Sequence, residues 1–198
     1  LGNCWQVLAP KPGSLGRPMP GHVAAIVDDE GRELADGEVG QIAFRRPDPV
    51  MMLEYWRNPE ATARKYAGDW LLTGDLGHRD GDGYFWYQSR ADDVITSAGY
   101  RIGPGEIEDA LNGHPAVAMS AVVGVPDPVT TESIHAYVVL RPGHVGDEPL
   151  SEAIRDSVRQ RLARHECPRR IEFVDALPMT ATGKIMRREL RKRASGQG

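Results

Sequence analysis

The chain has 198 residues, 40% of them hydrophobic and 26% charged, with a formal net charge of −4. That length and balance can bury a core in one medium domain or two small ones, and the acidic sign argues against a general nucleic-acid binder. Its two cysteines, Cys4 and Cys167, form no CxxC pair, which excludes a disulfide framework or a cysteine-based zinc site and fits a reducing, cytoplasmic setting. No apolar run approaches the roughly 20 residues of a membrane-spanning helix, and no segment reads as a basic-then-apolar signal peptide, so none is expected.

In chain order, residues 10–20 are crowded with proline and glycine and read as an extended segment. His22–Val27 and Val39–Phe44 read as strands of a hairpin around the polar stretch 28–32. Asn58-Pro59-Glu60 supplies an N-cap and a proline at the first helical position, predicting a helix to about Tyr66. Strands Trp70–Thr73 and Tyr84–Gln88 flank the turn 80–83. The pattern changes after Ala91-Asp92-Asp93. Short strands at 94–96 and 100–102 precede a helix from Pro104 to about Asn112. Apolar runs at 117–125 and 134–140 predict paired, buried strands. Ile154, Val158 and Leu162 give the helical spacing of an amphipathic segment over 150–164. A strand at 171–174, an extended loop at 178–184 and a basic helix complete the chain. The expected fold class is α+β: a β-rich subdomain with one helix over residues 1–90, then a small α+β domain over 91–198.

Several groups of residues have chemistry to offer. Thr73-Gly74-Asp75 closes a predicted strand and presents a carboxylate suited to two ribose hydroxyls, although turn aspartates of this kind often only cap their own turn. Arg90, followed by Asp92 and Asp93, reads either as a surface ion pair or as a nucleotide contact beside a pivot. Ala98-Gly99-Tyr100-Arg101 is a tight turn whose glycine permits close backbone approach. Lys184, on the loop Thr182-Gly183-Lys184, is either solvated or brings a compact positive charge to a developing anion. The loop lacks the two-glycine spacing of a phosphate-binding P-loop. From Lys184 to Arg193 six basic residues face one acid, a pattern of a solvated helix face or of an anion-facing segment. The six histidines are scattered without metal-ligand spacing, Asp80-Gly81-Asp82-Gly83 lacks the glutamate of a calcium loop, and no serine sits in a G-x-S-x-G elbow.

Together and in order, TGD at 73–75, YQSRADDVITSAGYRIGPGEIEDAL at 87–111, HPAVAMSAVVGVPDP at 114–128 and LPMTATGKIMRRELR at 177–191 resemble the adenylate-forming enzymes. The pattern is most similar to the C-terminal portion of the AMP-forming, medium-chain acyl-CoA synthetases (butyrate–CoA ligase type). The resemblance implies a ligase that joins a carboxylic acid to ATP, giving acyl-AMP, and then passes the acyl group to CoA. It further implies that Asp75 and Arg90 hold the ribose hydroxyls and that Asp92 is the hinge of a mobile C-terminal lid. Lys184 would contact the carboxylate and the α-phosphate. Ala98, Gly99 and Tyr100 would line the pantetheine channel, with Arg101 nearby. ATP and CoA are then substrates, and Mg2+ is expected with ATP but with no ligand from this chain.

Two positions depart from the family pattern. Where Arg-Gly-Glu is common, Thr130-Thr131-Glu132 stands; where Tyr-Lys is usual before Pro168, His165-Glu166-Cys167 stands. Both changes remove positive charge expected near CoA and leave open a carrier-protein phosphopantetheine as the acceptor. The phosphate loop and acyl pocket of such enzymes match nothing in the chain. The expectation is that it acts together with a missing N-terminal part and cannot adenylate unaided. A second class of function is a non-catalytic module recognised by a protein partner, such as a lysine acetyltransferase acting on Lys184.

Overall fold

The computed structural model describes residues 1–6 and 8–196. The fold is α+β, and the chain divides into two compact units, Leu1–Asp92 and Asp93–Gly198. No helix among the described residues is long and apolar enough to cross a membrane.

The first unit is built on a five-stranded sheet. β1 (Ala24–Val27) pairs antiparallel with β2 (Gly40–Arg45), Ala24 opposite Phe44 and Val27 opposite Gln41. All four β1 residues are buried because the strand is covered on both faces: Ala24 and Ile26 pack with Ile42 and Phe85, while Ala25 and Val27 pack with Ala43 and Trp70. The period-2 alternation of a strand makes this division automatic. α1 (Pro59–Ala63) starts as the sequence predicts, with the Asn58 side chain accepting from the Ala61 amide at 3.0 Å. It ends three residues earlier than expected, because β3 (Tyr66–Ala67) turns back to pair with β4 (Trp70–Arg79). β5 (Phe85–Arg90) completes the sheet along the other edge of the distal part of β4.

β4 corrects one expectation. Thr73-Gly74-Asp75 does not close the strand; it is a bulge inside a ten-residue strand. Leu72 faces Ala43 and Leu76 faces Gln41, so three residues of β4 stand opposite Ile42 alone. The Thr73 hydroxyl donates to the Ile42 carbonyl at 2.8 Å and accepts from the Asp75 amide at 3.1 Å, replacing ladder bonds that the extra residues displace. Gly74 sits at φ +82°, a conformation that side-chain-bearing residues rarely adopt.

In the second unit β6 (Ile95–Ser97) and β7 (Tyr100–Ile102) form a hairpin, and Pro104 opens α2 (Pro104–Asn112). The long strands β8 (Val117–Asp127) and β9 (Thr131–Leu140) pair antiparallel from Val117–Leu140 to Asp127–Thr131. α3 runs Glu148–Arg159, earlier than the predicted 150–164, because Asp147 caps it by accepting from the Leu150 amide and Pro149 stands in its first turn. β10 (Arg170–Phe173) adds to β9 in parallel, and α4 (Arg187–Ala194) follows the last loop. Alternation again divides the core. Val122, Ile134, Ala136 and Val138 face Ile107, Leu111, Ile154 and Val158 of α2 and α3. Ala121, Val123, Val125 and Tyr137 face Leu177 and Leu190. The central strands are therefore apolar on both faces, the reason their sequences read as nearly continuous hydrophobic runs.

Candidate functional site

In the first unit the β4 bulge turns Asp75 toward β5, where Arg90 lies directly opposite it in register. The Arg90 guanidinium donates to Asp75 Oδ1 at 2.9 Å and to Asp92 Oδ1 at 3.2 Å. Partial burial works against the Arg90 charge, but the Asp75 hydrogen bond and the charges of Asp92 and Asp75 outweigh it and raise its pKa. Both members of the Asp75–Arg90 pair stay accessible, at 36% and 41% side-chain exposure. Arg90 borders an open cleft of about 390 Å³ that Gly74, Asp92, Tyr55, Arg64 and Lys65 also line. Gly74 is needed here for space as well as for its dihedral: a Cβ would come within 3.0 Å of an Arg90 nitrogen. Sequence reading missed Lys65, whose ammonium donates to the Thr73 carbonyl at 3.3 Å on the rim of the same cleft. The basic pair Arg64-Lys65 just after α1 was the available signal.

In the second unit Ala98 and Gly99 are the two central residues of the β6–β7 hairpin, with φ of 50° and 85°. Positive φ at both positions is the signature of a type I′ turn, whose twist matches the flanking strands. The Ala98 amide donates to the Thr130 carbonyl at 2.9 Å, tying this hairpin to the β8–β9 turn. Tyr100 follows the turn, half exposed, with its ring stacked on His165 at 3.9 Å between centroids and 15° between planes. Arg101 is exposed on β7 opposite Thr96.

Ala98, Thr130 and His165 line a second, larger groove of about 640 Å³. The polar side chains at the two departing positions both have partners. The Glu166 carboxylate accepts from the Ala163 amide at 2.9 Å, capping its own short turn. The Thr130 hydroxyl lies 2.9 Å from the Asp127 carboxylate. Backbone bonds from Thr130 and Val129, then the Thr130 hydroxyl, hold Asp127 below the ordinary carboxylate range. Arg155, Arg159, Arg164 and Arg169 line the same groove, arginines that a reading of 130–132 and 165–167 alone overlooks; Arg155 pairs with Glu152, Arg159 with Asp156 and Arg169 with Asp127.

Lys184 is exposed at the end of a tight loop. The Thr180 amide donates to the Lys184 carbonyl at 2.8 Å, and the Lys184 amide donates to the Thr180 hydroxyl at 3.1 Å. The structure thus brings Asp75, Arg90 and Asp92 into one cluster. It puts Ala98 on the arginine-lined groove, with Tyr100 stacked on a residue of that groove, and gives Lys184 a loop of its own. Among the described residues no three His, Cys, Asp or Glu side chains converge to hold a metal.

The family model for the AMP-binding enzyme C-terminal domain matches residues 106–184. The chain is 48% identical over 182 residues to the acetyl-coenzyme A synthetase of Bacillus subtilis (strain 168), covering 91% of this chain and 32% of that protein. It is 46% identical over 189 residues to the mitochondrial acyl-coenzyme A synthetase ACSM3 of Homo sapiens, covering 92% and 32%. Among solved structures, the anthranilate CoA ligase AuaEII in complex with anthranoyl-AMP is similar with a TM-score of 0.82 and 40% identity, over 93% of this chain and 36% of that one. ATP-bound MatB from Rhodopseudomonas palustris is similar with a TM-score of 0.83 and 34% identity, over 92% and 36%. The chain spans about a third of the length of the curated relatives it matches.

Proposed function

We propose a function from one premise: the chain belongs to the adenylate-forming acyl-CoA synthetase family. In this reading it is the C-terminal part of a ligase that activates a carboxylic acid as acyl-AMP and then transfers the acyl group to CoA. The observation that carries the reading is the Asp75–Arg90 pair on neighbouring strands, 2.9 Å apart and accessible, with Arg90 on the rim of a cleft.

A ribose offers two adjacent hydroxyls. The Asp75 carboxylate accepts from them, and Arg90, already oriented by its bonds to Asp75 and Asp92, donates to a hydroxyl oxygen. In the first step the substrate carboxylate attacks the α-phosphorus and pyrophosphate leaves with the electron pair of the broken P–O bond. The Lys184 ammonium stabilises the charge that builds on the attacked phosphate and the attacking oxygen, and holding both in line lowers the barrier further. In the second step a thiol displaces AMP from the acyl carbon. Ala98 and Gly99 present backbone rather than bulk to the thiol's pantetheine arm, with Tyr100 beside them. Asp92, at the junction of the two units, is the pivot on which the second unit turns between the steps, so 1–90 belongs to the large adenylation domain and 91–198 to the lid. Free CoA is favoured over a carrier protein because the arginine-lined groove suits a nucleotide's phosphates.

The test is carboxylate-dependent ATP–pyrophosphate exchange by the intact polypeptide that carries this sequence. Lys184→Ala should lower exchange by about 100-fold or more while leaving thioester formation from preformed acyl-AMP nearly unchanged. Exchange that survives in Lys184→Ala would refute the reading.

A further inference from the structure

The Lys184 loop is held to itself by local hydrogen bonds, but those bonds do not set its orientation on the unit. Its ends must do so. Upstream, Leu177 is buried under the sheet. Downstream, the Met186 amide closes the loop on the Pro178 carbonyl at 2.8 Å, and Arg187 follows immediately. The Arg187 guanidinium spans two acids from distant parts of the sequence. One nitrogen donates to Asp93 Oδ2 at 3.2 Å; another reaches both Glu108 oxygens at 2.8 Å. Glu108 Oε1 in turn accepts from the Val122 amide at 2.8 Å, anchoring α2 and β8 to the same charge. One helical turn along, Arg191 donates to the other Asp93 oxygen at 2.8 Å.

Both carboxylates are only 13% exposed. Taking such charges out of water is costly, and an apolar cluster of the same volume would hold α4 in place at least as well. What a forked, charge-assisted arrangement adds is direction and register. Asp93 is the first residue of the second unit and follows directly on Asp92.

We propose that Arg187 is a positioning residue: forked between Asp93 and Glu108, it fixes the Lys184 loop to the segment where the second unit begins. The inference rests on the proposed roles of Lys184 and Asp92. A turn at Asp92 first moves Asp93, and Asp93 is bonded directly to the helix that follows Lys184. The lysine and the start of the unit then move as one body.

The experiment compares Arg187→Gln, Arg187→Lys and Asp93→Asn with Arg188→Gln, which removes the same charge from a neighbouring exposed position of α4. Amide hydrogen exchange on this chain is the first readout. In Arg187→Gln and Asp93→Asn the amides of 180–186 should exchange about tenfold faster, with those of α3 and β9 within about twofold of wild type, as expected for local rather than global opening. Arg187→Lys keeps the charge but cannot span two carboxylates, so it should resemble Arg187→Gln and carries the test if that variant does not fold. Arg188→Gln should resemble wild type. The second readout separates the half-reactions in the intact polypeptide. Adenylation should fall by about 30-fold or more, while thioester formation from preformed acyl-AMP stays within about threefold, because misplacing one charge penalises only the step that uses it. Unchanged exchange at 180–186, or an equal fall in both half-reactions, overturns the proposal. If wild type shows no carboxylate-dependent exchange of pyrophosphate, the functional reading fails, and the amide measurement still decides whether Arg187 holds the loop.

Discussion

Thr131 begins β9 with φ of +73°. This is the left-handed region, where a β-branched side chain crowds its own backbone. The position follows the turn Asp127–Thr130, and Thr131 keeps ladder positions opposite both Asp127 and Ser97. Substituting Thr131→Gly retains every backbone donor and acceptor and removes a side chain that is exposed. Placing an L-residue in this region costs roughly 1–2 kcal/mol, and up to about 3 kcal/mol in strained functional loops. Glycine gives back roughly 0.5–1 kcal/mol through the greater freedom of its unfolded chain. The net expectation is stabilisation by about 1 kcal/mol, or about 3 °C in Tm for a chain of this size. Urea unfolding followed by circular dichroism should show a higher midpoint with an unchanged slope. The series is more telling than the single variant. Thr131→Ala removes only the branching and should gain little, Thr131→Asn should fall between because asparagine tolerates this region, and Thr131→Gly should gain most. A glycine variant less stable than wild type, or an alanine variant as stable as the glycine variant, would refute the strain argument.

Other expectations follow from the same structure. Asp75→Asn should weaken AMP binding by the intact polypeptide about tenfold or more, by isothermal titration calorimetry, yet change stability by less than about 1 kcal/mol because the Arg90 pair is accessible. Gly74→Ala should destabilise by about 1–2 kcal/mol from its dihedral alone, and a thermal melt no lower than wild type would contradict the bulge. Acid should act through Asp80, whose pKa lies well below the usual carboxylate range, chiefly because Lys11 donates to it at 2.6 Å and despite the opposing effect of desolvation. A depressed folded-state pKa contributes stability above the unfolded value near about 4 that is lost as pH falls toward the folded one. Lys11→Gln should therefore lose less stability than wild type between about pH 4 and about pH 2, and parallel pH profiles for the two proteins would count against it. The chain by itself should show no carboxylate-dependent ATP–pyrophosphate exchange, and measurable exchange would overturn that expectation.

The sequence by itself determined the elements whose signals are local. Asn58-Pro59 marks a helix start through one cap bond, Pro104 marks another, and the apolar runs around Val122 and Val138 declare strands covered on both faces. The ordered motifs from Thr73 to Arg191 also point to the family. What the tertiary structure alone decided was register. Thr73-Gly74-Asp75 looks like a strand end in one dimension, because nothing local says that β2 and β5 continue alongside it; the paired strands make it a bulge, and the bulge sets Asp75 against Arg90. Lys65 reaches that cleft only because β3 folds back on β4. Arg187 meets Asp93 across 94 positions of sequence, and the basic run that contains it reads as a solvated helix until the buried acids opposite are seen. Propensity and capping act over a few residues, whereas ion pairs, bulges and clefts arise where distant strands meet, and their partners are chosen by packing.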